Sequence, residues 1–336
     1  MFYIVLAFLW ISTLLYFIMG GADFGAGIVE FFSRKRAKSR VGKIMYQAMG
    51  PIWEANHMWL VLIVVILFVG FPDIYTLVGT YLYIPVIIML LGIIARGTSF
   101  GFRHYDAIHD GMQTLYSKVY VYSCLITPFF LGIITGSIVS GKIDPNTHNF
   151  MDAFVYSWFG QFPVLMGFFT TAIFGFLASV FIIKETGDDI EEKNYAILKA
   201  KQMNIACLVF AAALMFVAQR EQIPLSEWLL GNPVSLTCIV ICSVSLLWMW
   251  YLMITKKTGF LRVIAGSQIT LLFIAVTYAQ YPIIIRMKNS ETLSLMKSAS
   301  NEKTIDILGT ALLIGSIFII PSLVYLIYGF SRKKFW

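Results

Sequence analysis

The chain has 336 residues, of which 59% are apolar and only 13% are charged, whereas a soluble domain carries about 25% charged residues. A soluble fold cannot bury so much apolar surface, so the composition predicts an integral membrane protein and excludes collagen-like, disordered and disulfide-stapled classes. The net charge of +7 would suggest a nucleic-acid partner in a soluble protein, but basic cytoplasmic loops explain it in a membrane protein.

Nine apolar runs are long enough to cross a bilayer as helices, because a span needs about 20 residues. They lie at 2–31, 55–71, 76–95, 119–140, 160–183, 203–219, 234–254, 263–285 and 307–329. The first run is longer than a span requires and should tilt or protrude. We find no internal repeat and no separate soluble segment, so we expect residues 1–336 to form a single all-α transmembrane domain.

The basic residues orient these spans. An odd number of spans places the termini on opposite sides, and 19 of the 25 Lys and Arg residues fall on the side of the C-terminus. Cytoplasmic loops are enriched in Lys and Arg. The sequence therefore predicts that the N-terminus is outside and the C-terminus is cytoplasmic.

The first span ends in a glycine-rich stretch that contains one carboxylate. Residues 20–27 read Gly-Gly-Ala-Asp-Phe-Gly-Ala-Gly, with Asp23 inside the run and a GxxxG spacing from Gly21 to Gly25. Such glycines let another backbone approach closely. We expect Asp23 to face a neighbouring helix and not lipid, with a carboxylate that caps a broken helical turn as the alternative.

The second span opens with an unusually polar first turn. After Gly-Pro at 50–51, the chain places Glu54 three and four residues before His57 and Met58, on one helical face, with Asn56 between them. Trp53 and Trp59 suit an interfacial belt. One interpretation of Glu54 is a simple helix-dipole partner. The other is a functional carboxylate, since a Glu, an Asn and a His exceed what a cap requires.

The third span ends with Arg96, followed by Arg103 seven residues later. A terminal Arg commonly extends to the interface. In the predicted topology, however, Arg96 lies at the same cytoplasmic side as Asp23 and Glu54 and could pair with either. Such a half-buried cluster of Asp, Glu, His and Arg resembles the mouth of a proton path.

Haem ligation by this chain is not expected. Of four histidines, only His57 is predicted at membrane depth, whereas His104, His109 and His148 fall in predicted loops, so two His ligands cannot flank one iron. The four cysteines lie in apolar runs without a CxxC motif, which indicates core packing and no metal site. Nucleotide-binding and Ser-His-Asp patterns are absent as well.

Three segments of the first third of the chain together resemble subunit II of cytochrome bd-type quinol oxidases. They are the glycine stretch around Asp23, the Trp-Glu-Ala-Asn-His-Met-Trp run at 53–59 and the Arg-Gly-Thr-Ser-Phe-Gly-Phe-Arg run at 96–103. Two positions depart from the pattern of many relatives, which have Asp where this chain has Glu54 and Pro where it has Gly97.

The resemblance implies two four-helix bundles plus one peripheral helix, paired with a similarly folded subunit I in a bacterial or archaeal plasma membrane. Subunit I of the family carries two b haems and one d haem, oxidises quinol and reduces dioxygen to water with cytoplasmic protons. A small single-span accessory subunit is a further possible partner. Subunit II ligates no haem. By motif match, Glu54 and Asp23 would conduct protons, and His57, which shares a helical face with Glu54, would help. The supporting residues would be Trp53, Asn56, Trp59, Arg96 and Arg103.

Two other classes remain as alternatives at this stage. A secondary transporter could bind substrate at a glycine-broken first helix, although no internal repeat is visible and the charges lie at the cytoplasmic edge. An autonomous haem-b membrane cytochrome is disfavoured by the histidine positions. A neighbouring reading frame for a His-containing, multi-span partner would favour the oxidase subunit over both.

Overall fold

The computed structural model describes residues 1–33, 53–105, 112–186, 189–288 and 291–332. Within the helices, the side chains of 53–55, 104–105 and 326–332 are also outside the description. The described chain is almost entirely helical, as its apolar runs predict.

The first span is one long rod with a change of helical pitch in its middle. Helix α1 (Phe2–Leu15) passes through a π-helical turn (Tyr16–Gly20) into α2 (Gly21–Phe31). The 30 residues would extend about 45 Å at 1.5 Å per residue, which exceeds the hydrocarbon thickness of about 30 Å. The rod therefore protrudes or tilts, as its length predicts.

The second and third predicted spans are divided differently in the structure. Helix α3 (Trp53–Gly70) is followed by α4 (Pro72–Tyr81) at a bend of 113°, and α5 begins only at Tyr83 and continues to Tyr105. The run predicted as 76–95 thus begins inside α4. Pro72 starts α4 and cannot donate to the preceding turn, and the open carbonyls of Val69 and Gly70 accept hydrogen bonds from Ser300 instead.

The remaining helices follow the order of the apolar runs. They are α6 (Met112–Ser140), α7 (Phe150–Phe154), α8 (Gln161–Glu185), α9 (Ile190–Arg220), α10 (Leu225–Leu230), α11 (Pro233–Ile254), α12 (Leu261–Gln280) and α13 (Glu302–Arg332). The described residues contain 8 helices able to cross a membrane, or 9 if the bent α3–α4 pair is one span. The chain is a multi-pass membrane protein.

A short antiparallel hairpin follows α12, where the sequence predicted helix as far as residue 285. Strand β1 (Ile283–Arg286) pairs with β2 (Thr292–Ser294). The helix ends because Pro282 disfavours helical geometry in the residue before it. Next to the hairpin, Lys288 donates to Asp144 at 3.1 Å, and this hydrogen bond holds the pKa of the partly buried Asp144 carboxyl below its usual range.

The helices pack as two groups with one helix outside them. The α1–α2 rod packs on α3, α6 and α8, and α5 packs on α6; the second group contains α8, α9, α11 and α12. Among the described helices, α13 makes extensive contacts with α1 and α3 only. Most of its surface is exposed and apolar. This grouping agrees with two four-helix bundles and one peripheral helix.

Candidate functional site

A buried ion pair joins the glycine-rich α2 to the end of α5. The guanidinium of Arg96 donates a hydrogen bond to Oδ1 of Asp23, and both side chains are 0% exposed. Three aromatic rings surround the guanidinium, with centroids 5.6 Å (Phe24), 5.1 Å (Phe100) and 5.8 Å (Tyr120) away. Arg96 therefore does not extend to the interface, and its charge is balanced inside the protein, where an unpaired charge would be strongly unfavourable.

A second ion pair lies two helical turns further along the same helices. Both guanidinium nitrogens of Arg103 donate to the carboxylate of Glu30, each at 2.9 Å. The interval from Asp23 to Glu30 equals that from Arg96 to Arg103, so the pairs form two steps between parallel helices, about 10 Å apart. The ring of Tyr120 also lies near the second guanidinium, at 5.3 Å.

Glu30 was missed by the sequence analysis. The available signal was its spacing, because two acids seven residues apart on one helix match two arginines seven residues apart on a helix of the same direction. The pair is 8% exposed at Glu30 and 16% at Arg103, so it is closer to the solvent than the Asp23–Arg96 pair. Beyond it, Lys199 donates to the Phe32 carbonyl at 2.7 Å and caps the end of α2.

Glycines allow α2 to reach its neighbours closely enough to enclose these charges. A Cβ atom at Gly25 would lie 1.9 Å from the Phe174 carbonyl oxygen, and one at Gly27 would lie 2.5 Å from the Cβ of Cys124. Any side chain at either position would therefore force α8 or α6 away from α2. The expected close approach around Asp23 is present in the structure.

The π-helical turn brings a second set of polar groups beside Asp23. Asn56 of α3, only 1% exposed, donates to the Met19 carbonyl of the turn at 3.5 Å. The ring of His57 lies edge-on to Phe24, with centroids 6.0 Å apart. The predicted residues Asp23, Arg96, Asn56 and His57 therefore surround one region where α2, α3 and α5 meet.

Three predicted site residues contribute less to this picture. The side chains of Glu54 and Trp53 lie outside the described residues, although both belong to the first turn of α3, two and three residues before Asn56. Trp59 is partly buried, and its indole nitrogen has no hydrogen-bond partner among the described groups. The proton-path role of Glu54 stays a prediction.

Four polar oxygens around the π-helical turn are buried without a hydrogen-bond partner in the described part of the chain. They are Ser12 Oγ, Tyr16 Oη, Asp23 Oδ2 and Asn56 Oδ1. The whole side chains of Ser12, Tyr16 and Asp23 are at most 2% exposed. Buried polar atoms in native proteins are nearly always satisfied by protein or by ordered water, so this concentration marks a polar interior at membrane depth.

Metal ligation finds little support in the described residues, which contain no group of three or more His, Cys, Asp and Glu side chains able to hold an ion. His57 lies near the start of α3, whereas His148 is exposed in the loop that follows the far end of α6. His104, expected in a loop, belongs to the last turn of α5.

Comparison with known proteins gives one consistent result. A family model described as cytochrome bd terminal oxidase subunit II matches residues 1–330. The cytochrome bd ubiquinol oxidase subunit 2 of Bacillus subtilis is 23% identical over 323 residues, 95% of this chain and 92% of that protein. The cytochrome bd-I ubiquinol oxidase subunit 2 of Escherichia coli K12 is 24% identical over 144 residues, 41% of this chain and 37% of that protein.

The fold is also that of a solved structure. A chain of the bd oxidase from Geobacillus thermodenitrificans superposes with a TM-score of 0.78 at 20% identity, covering 99% of each chain. At 20% identity this similarity is evidence for the fold alone, and it covers nearly the whole chain. The family match covers the same range, so the two findings agree.

Proposed function

Because the chain belongs to the cytochrome bd terminal oxidase subunit II family, we propose that it supports the haem-bearing subunit I and conducts cytoplasmic protons towards the site of dioxygen reduction. Membership itself makes the chain a subunit of a respiratory quinol oxidase in a bacterial membrane. A secondary transporter is not favoured, because both family and fold are those of an oxidase subunit.

The partner and its cofactors follow from the family. The complex bears haem and contains a subunit I, which we expect to carry two haem b and one haem d; a small single-span subunit and membrane lipid are further expected partners. Bound haem supplies the electron transfer from quinol to dioxygen. For this chain we propose no iron ligand, because His57 is the one histidine predicted at membrane depth.

Orientation supports proton uptake at the end of α2 and α5. We propose that this end faces the cytoplasm, since 19 of 25 basic residues fall on that side. The Glu30–Arg103 pair and Lys199 lie there, and Asp23 lies two turns deeper. A proton that enters beside the first turn of α3 would meet Glu54 first and Asp23 next.

The observation that carries this proposal is the state of the Asp23 carboxylate. Arg96 holds Oδ1, while Oδ2 is buried and has no hydrogen-bond partner among the described residues. That oxygen is available to accept a proton or a hydrogen bond from water. Arg96 keeps its own charge at any working pH, so it orients Asp23 without competing for the proton.

The test is a pair of substitutions at Glu54. Glu54→Gln keeps the shape and an amide but cannot titrate, whereas Glu54→Asp keeps the carboxylate. We expect the Gln complex to assemble with a normal haem absorption spectrum and to lose most of its oxygen consumption at excess quinol, while the Asp complex retains much more. Full turnover of an intact Gln complex would refute the relay and leave a helix-dipole role, worth about 0.3–1 kcal/mol of stability.

A further inference from the structure

Beyond Asp23, two hydroxyl groups on the first helix have no assigned role. Ser12 is 0% exposed and Tyr16 is 2% exposed, and neither hydroxyl has a hydrogen-bond partner in the described part of the chain. They lie four residues apart on α1 and the following turn, so both occupy the same helical face. Leaving a buried hydroxyl unsatisfied is unfavourable, so two such groups in succession call for an explanation.

Ser12 differs from most hydroxyl-bearing residues of the described helices, as Thr127 of α6 also does. Thr13, its neighbour, donates to the Leu9 carbonyl at 2.8 Å, and Ser137 donates to the Ile133 carbonyl at 2.7 Å. This local bond to the residue four before is the ordinary way for a helix to satisfy a hydroxyl in an apolar setting. Ser12 makes no such bond within the described chain, so its hydroxyl is directed elsewhere.

The Tyr16 side chain extends from the face that it shares with Ser12 towards the Asp23 region. Its ring lies along Gly20, where a Cβ atom would come within 3.3 Å of two ring carbons, so the side chain extends towards the turn that carries Asp23. The π-helical geometry supplies the wider turn here, and such insertions recur at functional sites.

We propose that Tyr16 and Ser12 hold internal water molecules that continue the proton path from Asp23 along α1 into the membrane interior. The inference rests on the proposed function and extends it by two relay residues on the first span. Each hydroxyl or water oxygen that receives a proton on one side releases one on the other, so no electron moves along the path. The proton is consumed, with electrons from quinol, when dioxygen is reduced to water.

Removal of the two hydroxyl groups tests whether this region is a hydrated proton path or a dry core. Tyr16→Phe and Ser12→Ala in the purified two-subunit complex should each lower oxygen consumption at saturating quinol roughly tenfold, equal to about 1.4 kcal/mol in the barrier. The solvent deuterium isotope effect on turnover should rise, because proton delivery becomes limiting, while reduction of the haems by quinol keeps its rate.

Matched controls remove hydroxyl groups that the protein already satisfies. The Tyr81 hydroxyl donates to the Pro145 carbonyl at 3.3 Å, and Thr13 donates to Leu9. Tyr81→Phe and Thr13→Val should leave both turnover and the isotope effect unchanged. If these controls slow turnover as much as Tyr16→Phe, the effect is general and the inference is wrong.

If the region around Tyr16 and Ser12 holds no water, the substitutions should have different effects on stability and turnover. Deleting an unsatisfied hydroxyl from a dry core removes its desolvation cost, so Tyr16→Phe would then raise the thermal midpoint and keep full turnover. A raised midpoint with full turnover would overturn the inference. If Tyr16→Phe does not assemble, the same two observations on Ser12→Ala would overturn it. Slow turnover in Asp23→Asn together with normal turnover in Tyr16→Phe would reject only this extension, whereas normal turnover in Asp23→Asn would reject the proposed function itself.

Discussion

Loss of one partner of the Asp23–Arg96 pair should destabilise the protein more than loss of both. Neither side chain has any exposed surface, so the remaining charge would be left inside a low-dielectric interior. Breaking a buried pair costs about 3–5 kcal/mol. The two single variants should also differ: Asp23→Asn leaves a guanidinium that cannot lose its charge, whereas Arg96→Gln leaves a carboxyl that can bind a proton and become neutral.

We therefore expect Asp23→Asn to be the least stable of the three variants, with Arg96→Gln and the double variant above it. The Glu30–Arg103 pair provides a reference, because its partial exposure lets water solvate the remaining charge. Glu30→Gln should cost about 1.5–3 kcal/mol, the usual worth of a hydrogen bond to a charged group.

The assay is the thermal midpoint of the detergent-solubilised complex, purified through a tag on this chain and followed by its haem absorption. All variants are compared at one pH and one detergent concentration. If the losses of the two single variants simply add in the double variant, the two side chains are not coupled and the argument from a buried pair fails. A thermal midpoint for Asp23→Asn equal to that of the wild type would also contradict the argument from a buried pair.

Three further predictions concern packing, cofactors and topology. Gly25→Ala should lower the yield of complex, because its Cβ would meet the Phe174 carbonyl. The control Gly266→Ala should keep the normal yield, because no atom lies within 4 Å of its Cβ. Equal yields would show that α2 and α8 can separate. The chain expressed without its partner should show no haem Soret band, and loss of one haem from an intact His57→Ala complex would disprove that. Reporter fusions in the 32–54 loop and at the C-terminal tail should both report a cytoplasmic location, and an external signal at either would break the nine-span topology.

Composition and apolar runs were sufficient to predict the membrane class and most helices. The long first span, the helices at the later runs and the position of Arg96 on the side of Asp23 all follow from sequence patterns. The predicted second span ends at residue 71, close to the end of α3, but neither the 113° bend into a separate α4 nor the break at Leu82 was predicted, because hydropathy does not report direction and the run 76–95 continues through Leu82. The β-hairpin was missed for the same reason, since Ile283, Ile284 and Ile285 extend an apolar helix and only Pro282 marks its end.

The sequence was enough to predict which residue types form the candidate site, but not which of them form ion pairs with one another. The sequence left Arg96 with two carboxylate partners and an interfacial alternative, and the structure shows the ion pair with Asp23, which depends on how the helices pack. The unsatisfied hydroxyl groups of Ser12 and Tyr16 have no sequence signal, because a Ser or Tyr in an apolar helix is common and its hydrogen bonds depend on the neighbouring backbone. Three-dimensional context alone separates Ser12 from Thr13.

Proton uptake measured within one turnover tests the central claim most directly. The fully reduced complex is mixed with dioxygen beside a pH-indicating dye, and haem oxidation is recorded in the same experiment. In Asp23→Asn and Glu54→Gln, proton uptake should slow by at least about tenfold, a barrier increase of roughly 1.4 kcal/mol, while the first electron-transfer step keeps its rate. Proton uptake at the wild-type rate in both intact variants would contradict a proton path through this chain.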